Sequence, residues 1–264
     1  MDLNLKNKTA FISGSTAGIG FAIAERLARE GARVIINGRT EKRVAFAIHE
    51  LHSKVPHATI EGIPGDLGHK KGCAALVRRL RDVDILVNNL GIFEPKPFEE
   101  IPDDDWLRFF EINVMSGVRL SRAFLPGMKK RNWGRIIFIS SESAVHIPAE
   151  MVHYGMTKTA QIAIARGIAE SCAGTGVTVN SVLVGPTASE GVTDFIGKLA
   201  SEKKMTPAQF EQEFFKHMRP TSLVKRFLKP EEIASVVAFV CSPEASAITG
   251  SALRAEGGVV KAAL

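Results

Sequence analysis

Two spacings of apolar residues alternate along the chain. Short strand-like stretches recur at Thr9–Ser13, Arg33–Asn37, Thr59–Ile63, Asp84–Val87, Ile136–Ile139, Val177–Val184 and Ser251–Glu256, and Ile136–Ile139 is an unbroken apolar run. Between them apolar residues return every third or fourth position, as Ile23, Ala24, Leu27 and Ala28 do, and later Ile162, Ala165, Ile168 and Ala169. An unbroken run rich in β-branched residues suits a strand covered on both faces, and the wider spacing suits a helix with one buried side. Their alternation predicts an α/β fold, a doubly wound parallel sheet with helices on both faces.

Start and stop signals agree with this. Gly31 closes the first helix, and Thr40 caps a second that runs to about Lys54. A basic helix ends near Arg81. Pro102 and the triplet Asp103, Asp104 and Asp105 open a helical stretch to Arg131, within which Pro126 should kink or end it. Pro230-Glu231-Glu232 begins the last long helix, through Val240, and Gly257-Gly258 follows the last strand. From about 185 to 229 the alternation pauses. Inside that insertion Thr206-Pro207-Ala208-Gln209 carries a capping box, followed by Phe210, Phe214 and Met218 at four-residue spacing. The stripe either packs on the body of the domain or forms a lid over an apolar substrate.

Composition narrows the class. With 264 residues, 45% hydrophobic and 23% charged, the chain suits one globular domain over 1–264. The +6 charge is spread among the helices, which favours small anionic ligands and not nucleic acid. Cys73, Cys172 and Cys241 are odd in number and show no metal-ligand pattern, so a reducing, cytoplasmic setting without a metal is expected. Met1 to Lys8 has no signal-peptide core and no apolar run is long enough to span a bilayer, so no membrane partner is expected.

Three motifs carry candidate chemistry. The first strand runs into Gly14-Ser15-Thr16-Ala17-Gly18-Ile19-Gly20 and then a helix, the unit that sets a phosphate on a helix N-terminus. The spacing is G-x-x-x-G-x-G, not the G-x-G-x-x-G fingerprint, so a tight turn without a ligand stays open. Ser140 and Ser141 end the fifth strand, where open parallel sheets place ligands. Tyr154 and Lys158 stand four apart on the helix that follows; the pair is either an ordinary surface pair or a tyrosine tuned for proton transfer by an adjacent cation.

Together, Ser13 to Gly20, Asn88-Asn89-Leu90-Gly91, and Ser141 with Tyr154 and Lys158 resemble the short-chain dehydrogenase/reductase family in order and spacing. The resemblance implies a Rossmann-like, mainly parallel sheet of about seven strands, a nicotinamide cofactor, and a homotetramer or homodimer. It implies an oxidoreductase exchanging a hydride with a carbonyl or secondary alcohol. Tyr154 would pass the proton, Lys158 would lower the tyrosine's pKa and bind the nicotinamide ribose, Ser141 would hold the substrate oxygen, and Asn113 would anchor a relay water. Ser141 is preferred to Ser140 because it lies thirteen residues before Tyr154, a common family spacing. For Asn113 a solvated helix position is the other possibility. Cofactor contacts are expected at Gly14 to Gly20, Arg39, Asp66, Leu67, Asn89, Gly91, Tyr154, Lys158, Gly185 and Thr187. A catalytically silent sensor or scaffold on the same fold is the alternative function.

The second strand ends in Gly38, where an NAD-preferring site of this kind wants a carboxylate, and Arg39 follows. NADP(H) is therefore the preferred cofactor and NAD(H) a possible one, unless Arg39 is only a solvated arginine. Phe195, Phe210, Phe214 and Phe215 suggest a largely apolar substrate. Three positions depart from the family pattern: Ser13 for threonine, Leu90 for alanine, and Val184-Gly185 for Pro-Gly, with Pro186 displaced by two positions.

Overall fold

The apolar runs form seven strands: β1 (Thr9–Ile12), β2 (Arg33–Gly38), β3 (Ile60–Pro64), β4 (Ile85–Asn88), β5 (Gly134–Ser141), β6 (Val177–Val184) and β7 (Ala252–Ala255). In the computed structural model, which describes residues 2–80, 82–189, 197 and 205–263, every pair is parallel and the order is β3-β2-β1-β4-β5-β6-β7. The helices are α1 (Gly18–Arg29), α2 (Glu41–Lys54), α3 (Lys70–Arg79), α4 (Asp103–Phe110), α5 (Ser116–Lys130), α6 (Val152–Glu170), α7 (Pro207–Glu213) and α8 (Pro230–Cys241).

Strand alternation divides the core between the two faces. Ala10, Ile12, Val34, Ile36, Ile137 and Ile139 face α1, α2 and α8, where they meet Ile23, Leu27, Leu51, Ile233 and Val237. Phe11, Ile35, Leu86, Ile136 and Phe138 face the other way, onto Leu76, Leu120, Phe124, Met128 and Ala165 of α3, α5 and α6. The central strands β4 and β5 are buried along their whole length, which is why Ile85–Val87 and Ile136–Ile139 are unbroken apolar runs, whereas the edge strands β3 and β7 expose Glu61, Ala252 and Arg254. Each fully buried leucine or isoleucine contributes about 1.5–3 kcal/mol. The largest fully buried side chain is polar: Arg135 donates to the carbonyls of Gly134, Gly176 and Ser242 and lies 4.6 Å from the Trp133 ring centroid.

Most helix signals act as expected. Gly31, at φ +83°, closes α1, with its N–H on the Ala28 carbonyl and the Ala32 N–H on that of Leu27. Thr40 accepts from Arg43 N, and Thr206 and Gln209 form the reciprocal box. The stretch from Asp103 differs. It is not ended by Pro126, which stays inside α5 and forfeits only one backbone hydrogen bond. The irregularity lies earlier, in a π turn at Glu111–Met115. There Ser116 Oγ donates to the Ile112 carbonyl at 2.6 Å, and Gln161 Nε2 to that of Asn113 at 2.6 Å. Side chains thus take carbonyls that the regular ladder leaves.

The insertion is anchored at its base, where Thr187 pairs with Leu228 in a parallel bridge and Leu228 N donates to Pro186 O at 2.8 Å. Phe195 and the helix end expected at Arg81 lie outside the described residues.

Candidate active site

The strand order reverses between β1 and β4, and the loops leaving their carboxyl ends meet there. Ser13 accepts from Asn89 N at 2.9 Å and Leu90 N at 3.0 Å, so its hydroxyl ties the two strand ends together and a threonine methyl is not required for this. Asn89 Nδ2 returns two bonds, to the Ser13 and Gly14 carbonyls. Leu90 is half-buried and packs on the α3–α5 side of the core. A side chain at Gly14 would sit 3.4 Å from it, so the bulk of Leu90 is accommodated by the glycine opposite.

Of the residues assigned to the site from sequence, all but Ser15 and Asn113 line one cavity of about 600 Å³. Ser15 is buried and serves the turn itself: its Oγ donates to Ile12 O at 2.7 Å and accepts from Asn37 N at 2.9 Å. At the floor of the cavity α1 begins with no side-chain cap and no acidic residue in its first turn. The free N–H groups there and the macrodipole suit a phosphate group, so the glycine turn fits a dinucleotide.

The adenosine end has its own shape. A Cβ on Gly38 would lie 2.4 Å from Thr16 Cγ2, so the space an acidic residue needs is already filled by a threonine methyl. Arg39 and Arg43 line the cavity beside it, both exposed. Arg43 was not expected from sequence. Neither was Asn37, whose buried amide bonds Gly14 N, Ile63 O and Gly65 O and so holds the turn to the ends of β2 and β3.

Beyond β5 the three polar residues converge. Ser141 bonds the Tyr154 phenol and accepts from Ser143 N at 3.1 Å, whereas Ser140 is buried and donates to the Lys158 carbonyl at 2.9 Å. Of the two, Ser141 is the one that interacts with the Tyr154 phenol. Lys158 is 5% exposed, with Nζ 5.5 Å from the Tyr154 ring centroid and bonded to Ile139 O at 2.8 Å. Lys158 was expected to lower the tyrosine's pKa, but here it is not among the groups that shift the phenol. Burial pushes the phenol up to about 12, opposed by the Ser141 bond, and burial pushes the Lys158 ammonium down to about 8.

Asn113 stands behind this group and not in the cavity. Its amide bonds Ile92 N, Ile92 O and Thr157 Oγ1 at 2.8, 3.0 and 3.0 Å. Its carbonyl meets Lys158 through Gln161, which accepts from Nζ at 3.4 Å. A solvated helix position is thereby ruled out: Asn113 is 1% exposed. Gly91 makes room for the arrangement, since a Cβ there would lie 3.4 Å from Lys158 Nζ and 3.6 Å from Asn113 Oδ1.

Facing Tyr154, Phe210, Phe214 and Met218 line the same cavity, joined by Phe227 and Phe93. Phe215 does not; it is buried behind them, its ring centroid 5.1 Å from those of Phe214 and Phe227. Gly185 keeps the crossing at β6 and β7 close, because a side chain would lie 2.5 Å from Glu256 O, and Thr187 Oγ1 donates to Gly185 O at 2.9 Å. Sequence reasoning also missed Glu142 and Arg219, a buried ion pair on the cavity wall. An acid directly after the strand-end serine was the available signal.

A family model described as enoyl-(acyl carrier protein) reductase matches residues 14–260. An uncharacterised oxidoreductase of Bacillus subtilis (strain 168), YvaG, is 51% identical over 99% of each chain, and a second from the same organism, YvrD, is 46% identical over 99% of each. Among solved structures, L-sorbose reductase of Gluconobacter frateurii, complexed with NADPH and L-sorbose, superposes with a TM-score of 0.94 at 31% identity, covering 99% of this chain and 100% of that one. No helix of the described residues is long and apolar enough to cross a membrane.

Proposed function

We propose that this chain, which belongs to the short-chain dehydrogenase/reductase family and is an NAD(P)-dependent oxidoreductase, works as an NADP(H)-dependent carbonyl reductase with Tyr154 as its proton donor. The observation that carries this reading is the meeting of Ser141, Tyr154 and Lys158 in the cavity that also holds the glycine turn. When bound, a nicotinamide would supply the hydride. Ser141 holds the substrate oxygen, and the Tyr154 phenol gives its proton to that oxygen as negative charge develops there. A phenol held near about 12 is protonated at neutral pH, which favours reduction over alcohol oxidation. Lys158 keeps a positive charge beside the site at neutral pH and would bind the nicotinamide ribose, with Asn113 and Gln161 fixing it from behind. The substrate lies against the wall of Phe93, Phe210, Phe214 and Met218 and is largely apolar. A set of four such groups is surplus to a silent sensor, so that alternative is not adopted. The test is consumption of NADPH across a panel of ketones, 3-oxoacyl esters and secondary alcohols; no turnover of any, with tight NADPH binding, would overturn it.

NADP(H) preference rests on Gly38, Thr16 and the two arginines, and on the NADPH held by L-sorbose reductase. Arg39→Ala should weaken NADPH binding roughly tenfold to a hundredfold, by about 1.5–3 kcal/mol, and Arg39→Ala/Arg43→Ala further, with NADH binding little changed. Equal losses for both cofactors in a titration of intrinsic fluorescence would show that these arginines do not read the 2′-phosphate.

Self-association as a dimer or tetramer belongs to the same proposal. Leu107 and Phe110 on α4 are 68% and 39% exposed, an apolar face suited to a second copy, and sedimentation velocity would read the size.

A further inference from the structure

One polar pair at the substrate end of the cavity has no task in that mechanism. Glu142 follows Ser141 in the chain and is 3% exposed; Arg219 ends the turn that carries Phe214 and Met218 and is 6% exposed. Arg219 Nε donates to Glu142 Oε1 at 2.8 Å, and Nη1 donates to Met218 O at 2.8 Å and to Glu150 Oε1 at 3.4 Å. Glu142 Oε2 accepts from the Ser143 hydroxyl. Nη2 of Arg219 has no partner among the described residues, and a carboxylate oxygen has room for a second hydrogen bond. Both residues line the cavity. A spare donor therefore lies beside a spare acceptor.

The pair is close to the reacting atoms. Glu142 raises the Tyr154 phenol's pKa and Arg219 lowers it, so both charges act on the phenol that meets the substrate oxygen. Two carboxylates, Glu142 and Glu150, flank the one guanidinium, which disfavours an anionic group at this point. An apolar group would cover polar atoms without replacing their lost hydration. A hydroxyl both donates and accepts, and suits the pair.

We propose that Glu142 and Arg219 select a carbonyl substrate bearing a hydroxyl on the carbon next to the carbonyl, an α-hydroxy ketone whose remainder lies on the phenylalanine wall. The hydroxyl donates to Glu142 and accepts from Arg219, while the neighbouring carbonyl oxygen rests on Ser141 and Tyr154. In reverse the substrate is the corresponding vicinal diol. This rests on the carbonyl-reductase reading above.

The test compares hydroxymethyl ethyl ketone with diethyl ketone, which puts a methyl in place of the hydroxyl. With NADPH, the wild type should favour the hydroxy ketone by about a hundredfold in kcat/KM, because a hydrogen bond to a charged group carries roughly tenfold to a hundredfold and the hydroxyl makes two. Glu142→Gln and Arg219→Met should each cut that ratio at least about tenfold, mainly through KM. Arg219→Lys, which keeps the charge, should retain part of it. Calorimetric binding of the hydroxy ketone to the protein with NADP+ should weaken in the same order, a readout independent of turnover. Melting curves and the NADPH dissociation constant identify a variant that has lost its fold, and Arg219→Lys then carries the comparison. Equal use of both ketones by the wild type, or a ratio unmoved in every folded variant, would overturn this inference and leave the reductase reading standing. Turnover of other carbonyls with neither of these two would do the same. No reduction of any carbonyl would overturn both.

Discussion

Tyr154→Phe should lower kcat/KM for carbonyl reduction by about a hundredfold to ten-thousandfold, the range that a positioned acid or base contributes, while the NADPH dissociation constant changes less than about threefold. The substitution removes one oxygen and keeps the ring, so its edge contact with Phe93, at 6.5 Å between centroids, is retained. What is lost is the proton that meets the developing charge; the Ser141 hydroxyl can still donate a hydrogen bond but is too weak an acid to hand over that proton. Because the chain contains a single tyrosine, the ultraviolet absorbance of tyrosinate reports on Tyr154 alone. Its titration should centre well above the ordinary tyrosine range, near about 12. Reduction should therefore be level across neutral pH, and alcohol oxidation, which needs the phenolate, should climb with pH. A variant that turns over at the wild-type rate would remove Tyr154 from the mechanism.

Lys158→Met should move activity and stability in opposite directions. Turnover should fall at least about a hundredfold, since the cation beside the phenol and the proposed ribose contact are both removed. The fold should gain. The folded-state value of about 8 lies below the ordinary 10.5, so the unfolded chain binds this proton more tightly, and the buried charge costs on the order of 3 kcal/mol at pH 7. Loss of the hydrogen bonds to Ile139 O and Gln161 returns about 1–2 kcal/mol of that, leaving the methionine variant about 1–2 kcal/mol more stable. The advantage is full below about pH 8 and fades as the pH rises from there through 10.5, beyond which lysine is neutral in both states. Urea denaturation at pH 7 and pH 10 measures it; a variant less stable than wild type at pH 7 would show that the ammonium is better solvated than its burial implies.

Much of the architecture was legible because central strands covered on both faces leave an unbroken apolar signature, as at Ile136–Ile139, and Gly31, Thr40 and Thr206 carry local hydrogen-bonding chemistry that acts within a few residues. The order of the sheet and the convergence of Ser141, Tyr154 and Lys158 were accessible only through the resemblance of several motifs taken together. What escaped depends on contacts between distant parts of the chain. The π turn at Asn113 exists because Gln161, on another helix, takes its carbonyl. Pro126 looked like a helix end because its missing N–H is visible in sequence, whereas the packing of Leu120, Phe124 and Met128 that holds α5 together is not. Likewise Glu142 and Arg219 are 77 residues apart, and no spacing rule links them. Pairing at four residues also says nothing about how deeply a phenol is buried, and burial sets the direction of the Tyr154 shift.

The threonine methyl beneath Gly38 bears on how the cofactor preference can change over generations. A carboxylate at position 38 is unavailable in one step, since its Cβ would meet Thr16 at 2.4 Å and a β-branched side chain has few other rotamers. Gly38→Asp made first should cost stability before it confers any affinity for NADH. A smaller residue at position 16 opens the way, and the same acidic substitution then becomes tolerable. The two sites are thus epistatic, with one order of substitution passable and the other blocked. Under the proposed NADP(H) preference, a lineage carrying both glycine and threonine here is held to that cofactor by the path as much as by the arginines.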